Sequence, residues 1–473
     1  MNTKVKQILS KFSYVIFSNF ITLLTSFVAV MVLPKVIGVT EYGYWQLYIF
    51  YVAYVGFTHL GWVDGLYLKL GGRSFSGLKK EEFSDQVQLL AIFSTLLMVL
   101  GIVLSLFFVD EANKKIIYIM FCVNILVVNV RTAIVYVMQA TNMLKESSRI
   151  LILDRAIYIV TILALLLFGV RDYRQLILAD ILAKVISLVY SFVISKNMTY
   201  RLVRITRSGL LEAYDNVRVG INLMFSNIAS SFIIGVIRIG IKNTWGIESF
   251  SKISLTLNIS NLMMIFINAI GVVIFPILKK MDDKRLNIIY ISLRRLLVFT
   301  ILFVMILYYP LKLVLDFWLP NYHESFVYLA LVFPISVFEG RMSLLINPYF
   351  KALRMEKTIK FINFFVLAVS VILTGVNYLL FKNMTMYIMS IIILLGLRAG
   401  VSEWILGKRL RLDLRRDMAM ELMVILVFIL SSWWMSSPIN LFIYIAAYAG
   451  YVIINLKNIK ETLATVKAFS TSK

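Results

Sequence analysis

The sequence predicts an all-α polytopic membrane protein of about fourteen transmembrane helices, and three observations carry that prediction. Hydrophobic residues make up 60% of the 473, charged residues only 15%, and the mean hydropathy is +0.86. Soluble domains hold about 45–50% apolar and about 25% charged residues, and one core cannot hide this much hydrocarbon from water. The apolar residues fall in continuous runs near the ~20 residues that a bilayer-spanning helix needs, without the alternation of barrel strands. Finally, Lys and Arg concentrate in alternate connections between the runs.

The runs are 12–33, 45–68, 87–109, 116–138, 150–170, 176–195, 219–241, 249–278, 296–315, 325–348, 361–381, 385–406, 418–436 and 440–456. Lys4, Lys6 and Lys11 precede the first. That run exceeds the apolar core of a signal peptide and lacks a small-residue cleavage site, so it is expected to stay as a span. Of the 48 Lys and Arg, 33 lie in both termini and the segments 69–86, 139–149, 196–218, 279–295, 349–360 and 407–417. The other connections hold 7, and 8 lie within spans. Positive residues stay inside, so both termini are expected in the cytoplasm. Most of the +23 net charge is thereby assigned to the membrane surface and membrane lipids rather than to nucleic acid. Cys122 is the only cysteine and His59 and His323 the only histidines, which leaves no disulfide framework and makes a metal centre an unpromising reading. The outer connections are short, against a large external catalytic domain. No Walker sequence or catalytic triad appears, and the chain is expected not to be an enzyme.

An internal repeat organises the spans. At an offset of 208 residues, Phe17-Ser18-Asn19 matches Phe225-Ser226-Asn227, Gly38 matches Gly246, and Tyr42 matches Phe250. The offset relates the first span to the seventh in the same direction, as in a parallel repeat of two six-helix halves. The expected organisation is an N-terminal half at 1–195, a basic cytoplasmic linker at 196–218, a C-terminal half at 219–406, and two extra helices with a tail at 407–473.

Three features carry a resemblance to a family: the 6+6+2 arrangement, Gly38-Val39-Thr40-Glu41-Tyr42-Gly43-Tyr44-Trp45 leading into the second span, and Gly56-Phe57-Thr58-His59-Leu60-Gly61-Trp62-Val63-Asp64-Gly65. The chain resembles the polysaccharide-transport branch of the MOP superfamily, which includes O-antigen and capsule-unit flippases beside the MATE exporters and the lipid II flippase. The resemblance implies a flippase of the bacterial cytoplasmic membrane. Its cargo would be a polyprenyl-pyrophosphate-linked oligosaccharide, moved to the outer leaflet by alternating access, with polysaccharide-assembly enzymes as possible partners. It also implies that spans 1, 2, 7 and 8 border the pathway. No cofactor is expected beyond possible H⁺ or Na⁺ coupling. The alternatives are a MATE-like exporter of small cationic or amphipathic molecules and a membrane component of polysaccharide assembly.

Such a cargo calls for in-span cations and hydrogen-bonding side chains. A centrally placed arginine costs about 2.5–3.5 kcal/mol on insertion scales, so it marks a functional site by default. Arg155, Lys252 and Lys312 lie near span ends and can snorkel, and Lys184 follows Asp180 by four residues, the spacing of a local ion pair. Arg131, Arg341 and Arg398 lie deeper, and each either lines a pathway or pairs with another helix. Arg238 sits where the repeat places Val30, and charge specific to one half suggests use. Ser254, Asn258, Asn261, Ile265 and Asn268 follow the 4-3-4-3 spacing of one helical face, which must meet protein or water. Asn19 and Asn227 are repeat-related polar positions. Asp64 and Glu339 are the ion-coupling candidates, with Glu339 better suited to pairing an arginine. In-span arginines outnumber the acids, which disfavours a cation exporter.

Overall fold

A computed structural model describes residues 14, 17–78, 80–196, 206–279, 286–435 and 438–471; side chains at 265–279 and at most positions beyond 458 lie outside the description. Described residues form fourteen helical segments: α1 (Phe17–Ile37), α2 (Val39–Val52), α3 (Trp62–Leu70), α4 (Lys80–Phe108), α5 (Ala112–Ala140), α6 (Leu144–Leu167), α7 (Tyr173–Ile194), α8 (Arg207–Lys279), α9 (Leu286–Trp318), α10 (Leu329–Ala352), α11 (Glu356–Phe381), α12 (Met384–Leu410), α13 (Arg415–Trp434) and α14 (Ile439–Thr471). Twelve helices among the described residues are long and apolar enough to cross a membrane. The chain is an all-α multi-pass membrane protein.

One expectation about the spans changes. Span 45–68 is not one helix: α2 ends at Val52, a 3-10 turn covers Val55–Phe57, and α3 begins at Trp62. The sequence supplies the break. Leu60 and Gly61 adopt φ of 54° and 83°, left-handed backbone that ends a helix. The freed polar groups find local partners: Thr58 Oγ1 donates to the Val55 carbonyl, and His59 Nδ1 accepts from the Gly61 N–H. Spans 219–241 and 249–278 are two helices, as expected; they abut in the stretch labelled α8, which is broken at Gly246, where the backbone is not helical. That stretch starts at Arg207, so the second part of the expected linker 196–218 is helix.

Gly246 (φ 82°, ψ −167°) and Gly38 (φ 83°, ψ 170°) share a backbone conformation essentially restricted to glycine. They are the two glycines matched by the 208-residue offset. Prolines have a recurring device of their own. Pro34 and Pro348 each follow a π turn, Val28–Val32 and Met342–Ile346. Leu33 N–H reaches back to the Val28 carbonyl and Asn347 N–H to that of Met342. Proline has no N–H to give the preceding turn, and the wider turn absorbs the mismatch within the helix.

The chain forms two compact units, Met1–Ile228 and Ala229–Lys473, and the division falls inside α8. In the N-terminal unit, α3 and the start of α8 meet backbone to backbone. A Cβ on Gly65 would lie 1.9 Å from the Asn216 carbonyl oxygen, and one on Gly220 would lie 1.9 Å from that of Gly61. Gln86 of α4 ties this crossing together, accepting from Trp62 Nε1 (2.9 Å) and Asn216 Nδ2 (3.0 Å) and donating to the Gly209 carbonyl (3.0 Å). In the C-terminal unit α10 is the most buried of the spanning helices among the described residues, and α13 lies in the same unit.

Candidate functional site: paired charges inside the two units

Buried charge in the N-terminal unit is organised as two interhelical networks. Arg131 of α5 lies 2.8 Å from Asp154 of α6 and donates to Ser187 of α7 at 3.4 Å. Nearby, Lys184 and Asp180 of α7 form the ion pair that their spacing predicts. Tyr48 of α2 donates to Asp180 at 2.5 Å, Lys184 donates to Asn124 Oδ1 at 3.2 Å, and Asn124 Nδ2 donates to Tyr48 at 2.9 Å. These four side chains close a ring that joins α2, α5 and α7. Taking charges out of water is costly, and only close pairing with further hydrogen bonds offsets it. The ring meets that condition at each of its members.

A larger network lies in the C-terminal unit. Arg294 of α9 binds Glu403 of α12 through two N–H groups (2.7 and 3.2 Å) and Glu421 of α13 at 2.9 Å. Arg341 of α10 binds the same two carboxylates at 2.7 and 3.0 Å, and Tyr290 donates to Glu403 at 3.0 Å. Two arginines and two glutamates thus form a neutral cluster that links four helices. Arg341, a candidate for the pathway, is committed here to carboxylates sealed from solvent, as Arg131 is to Asp154.

Arg294 and Glu421 were not singled out from the sequence. Arg294 falls in the basic connection 279–295 and so reads as surface, whereas Glu421 lies three residues into span 418–436 and is passed over beside the charged run 407–417. The missed signal is helical register. Tyr290, Arg294, Leu297 and Ile301 follow the 4-3-4 spacing of one face, and all four are buried. Glu421 likewise precedes buried Val424, Ile425 and Phe428 at three, four and seven residues.

Arg398 and Arg238 are placed differently. Arg398 of α12 donates to Ser230 Oγ of α8 at 2.6 Å and to Glu339 of α10 at 2.7 Å. Glu339 therefore pairs an arginine, as its position suggests. Arg238 donates to Ser254 at 2.8 Å and lies over the Phe250 ring at 5.1 Å. The bend at Gly246 makes this contact, returning the chain so that a cation before the bend meets the polar stripe after it. In the N-terminal unit the corresponding residue Tyr42 donates to the Ala29 carbonyl at 3.2 Å.

Of the polar candidates, Asn19, Asn227 and Asn261 are exposed and Asn258 is half-buried; the side chain of Asn268 lies outside the described residues. Asp64 is half-buried on α3, and His59 is buried with a backbone N–H as its partner. Outside the spans, the Lys252 ammonium 2.7 Å from Glu324 holds that carboxyl below the usual glutamate range. The structure changes one sequence argument. The apparent excess of buried arginines over acids disappears once Arg131, Lys184, Arg294, Arg341 and Arg398 are set beside Asp154, Asp180, Glu403, Glu421 and Glu339.

Comparison with known proteins places this architecture. No family model and no curated protein matches the chain, whereas several solved structures do. The lipid II flippase MurJ in an inward closed conformation aligns with a TM-score of 0.65 at 14% identity, covering 96% of this chain and 100% of its own. An inward-facing multidrug resistance MATE family transporter of the MOP superfamily aligns with a TM-score of 0.60 at 14% identity, covering 83% and 94%. A MOP superfamily transporter from Pyrococcus furiosus, described as having a binding pocket of reversed polarity, aligns at 0.53 and 12% identity, covering 85% and 93%. At these identities the likeness concerns the fold, and the protein has the fold shared by MATE transporters and the lipid II flippase.

Proposed function

We propose that the protein is a flippase that carries a polyprenyl-pyrophosphate-linked oligosaccharide from the cytoplasmic to the outer leaflet by alternating access. The observation that carries this reading is the extent of the structural match. The lipid II flippase covers 96% of the chain, against 83% for the MATE transporter, a difference close to the size of the C-terminal segment 407–473. A flippase of a lipid-linked cargo thus matches nearly the whole chain. The motifs at 38–45 and 56–65 support the polysaccharide branch. In this reading the protein sits in the bacterial cytoplasmic membrane with both termini in the cytoplasm, alongside polysaccharide-assembly enzymes.

Arg398 and Arg238 are our candidates for the pyrophosphate, and Asn19, Asn227, Asn258, Asn261 and Asn268 for the sugars. Arg131 and Arg341 serve their units by holding helices together. Asp64 and Glu339 remain the candidates for H⁺ or Na⁺ coupling. With the cytoplasm negative, outward movement of an anion gains about 2.3 kcal/mol per charge per 100 mV. Because the buried arginines are neutralised within their own units, the charge that crosses the field is chiefly that of the cargo, and the membrane potential assists export.

Depletion of the protein in its native host tests the reading. A polyprenyl-pyrophosphate oligosaccharide is expected to accumulate, shielded from a membrane-impermeant probe in right-side-out vesicles, and its mass would identify the sugar unit. Loss of the intermediate would favour an assembly component. An unchanged lipid pool with raised drug susceptibility would favour a small-molecule exporter, the reading that the MATE likeness keeps open.

A further inference from the structure

The buried ion pairs differ in one respect. Side-chain exposure is 3% at Asp154, 5% at Asp180, 0% at Glu403 and 1% at Glu421, but 27% at Glu339. The arginine opposite Glu339 is as deeply set as the others, with 3% side-chain exposure. Arg398 therefore has a fixed guanidinium, whereas its carboxylate partner is open on one side. Depth argues that this opening faces water, because a carboxylate ten residues into α10 is not left against lipid.

Arg398 also has unused hydrogen-bonding capacity. One terminal nitrogen is engaged by Ser230 and the other by Glu339, while Nε–H is buried without an acceptor among the described residues. A buried donor left unpaired is costly; Arg341 Nε is buried without an acceptor among the described residues too, so what sets Arg398 apart is that its carboxylate partner is open on one side. Ser402, one turn further on the same face of α12, is also buried, with no partner for its hydroxyl among the described residues. An arginine fork can hold two oxygens of a phosphate at once, and here one side of the fork is free while the other is held by a carboxylate that solvent reaches.

We propose that Arg398, with Ser230, is an anion site for a phosphate or pyrophosphate group, and that Glu339 is its built-in competitor. In the empty protein Glu339 neutralises Arg398. An arriving phosphoryl group bonds to the free Nε–H edge and displaces the Glu339 carboxylate, which turns out into water. The carboxylate rejects weaker anions, because a ligand must outbid a preformed charged pair, and it neutralises Arg398 again once the ligand leaves. The assignment rests on the flippase reading for the identity of the cargo, but its geometry lies wholly within the C-terminal unit.

The test uses the full-length protein purified in detergent, with inorganic pyrophosphate as the probe and isothermal titration calorimetry as the readout. Glu339→Gln is expected to tighten pyrophosphate binding about tenfold by removing the competing charge, and Arg398→Gln to abolish it. Ser230→Ala is expected to weaken it severalfold. Equal affinity in wild type and Glu339→Gln would overturn the competitor role. Binding that survives Arg398→Gln would be adventitious binding to the basic segments and would overturn the site. Should a single variant not fold, the neutral pair Glu339→Gln/Arg398→Gln replaces it; loss of binding in that pair supports the site, and retained binding overturns it. The probe carries no lipid, so calorimetry is independent of flipping. A protein with these affinities that flips nothing keeps the anion site and loses the flippase reading.

Discussion

Glu403→Gln is expected to destabilise the protein by about 3–5 kcal/mol, read as a large fall in the thermal unfolding midpoint in detergent. Glu403 accepts from Arg294, Arg341 and Tyr290 at once. Its neutral amide would leave two buried guanidiniums facing Glu421 alone. Cutting one member from a buried network leaves a desolvated charge with poor compensation, and that penalty exceeds the worth of the intact network. Glu421→Gln is expected to behave alike and to loosen α13 from α9 and α10. Glu324→Gln is the control. It also removes an ion-paired carboxylate, from Lys252 at 2.7 Å, but an exposed one, and exposed pairs add little to stability. Equal midpoints for Glu403→Gln and Glu324→Gln would mean that the cluster does not hold the C-terminal unit together.

Gly220→Ala is expected to cost at least about 3 kcal/mol, at the upper end of what overpacking does. The added Cβ would meet the Gly61 carbonyl oxygen at 1.9 Å and the Gly65 amide nitrogen at 2.4 Å. Both are backbone atoms of the first turn of α3 and its N-cap, so no side chain can rotate away and the helices must separate. Separation would also stretch the hydrogen bonds that Gln86 makes to Trp62 and Asn216. Gly450→Ala is the control, since a Cβ there meets nothing within 4 Å. Limited proteolysis should show the N-terminal unit of Gly220→Ala cleaved much faster than that of wild type. Unchanged protection would contradict the close approach.

Much of the architecture is legible in the sequence because membrane insertion writes it in long periods. An apolar run near twenty residues has few alternatives to a spanning helix, and most expected spans coincide with a helix to within a few residues. Reading fails where backbone geometry, rather than hydropathy, decides. Run 45–68 is apolar throughout, yet Leu60 and Gly61 turn left-handed and divide it. Positive-φ glycine is informative elsewhere: Gly38 and Gly246, extended in ψ where Gly61 is not, mark matching bends, and the sequence offset pairs them.

The charged sites were legible by type more than by role. Spacing identifies Lys184–Asp180, because both partners lie on one helix. Arg131 with Asp154, and Arg341 with Glu403 and Glu421, join residues 23 to 80 positions apart, and no local pattern encodes such pairing. Hydropathy windows also conceal an arginine near a span end. Arg294 reads as part of a basic connection, although its helical face is apolar on both sides.

The most direct test of the account is flipping by the purified protein in proteoliposomes. A polyprenyl-pyrophosphate oligosaccharide carrying a label is placed in both leaflets, and its exposure to a membrane-impermeant reagent is followed over time. The account predicts that the inner pool becomes reactive much faster than in protein-free vesicles, that an interior-negative potential speeds this, and that Arg398→Gln slows it. An inner pool that stays protected at either polarity, as in protein-free vesicles, would contradict the flippase assignment.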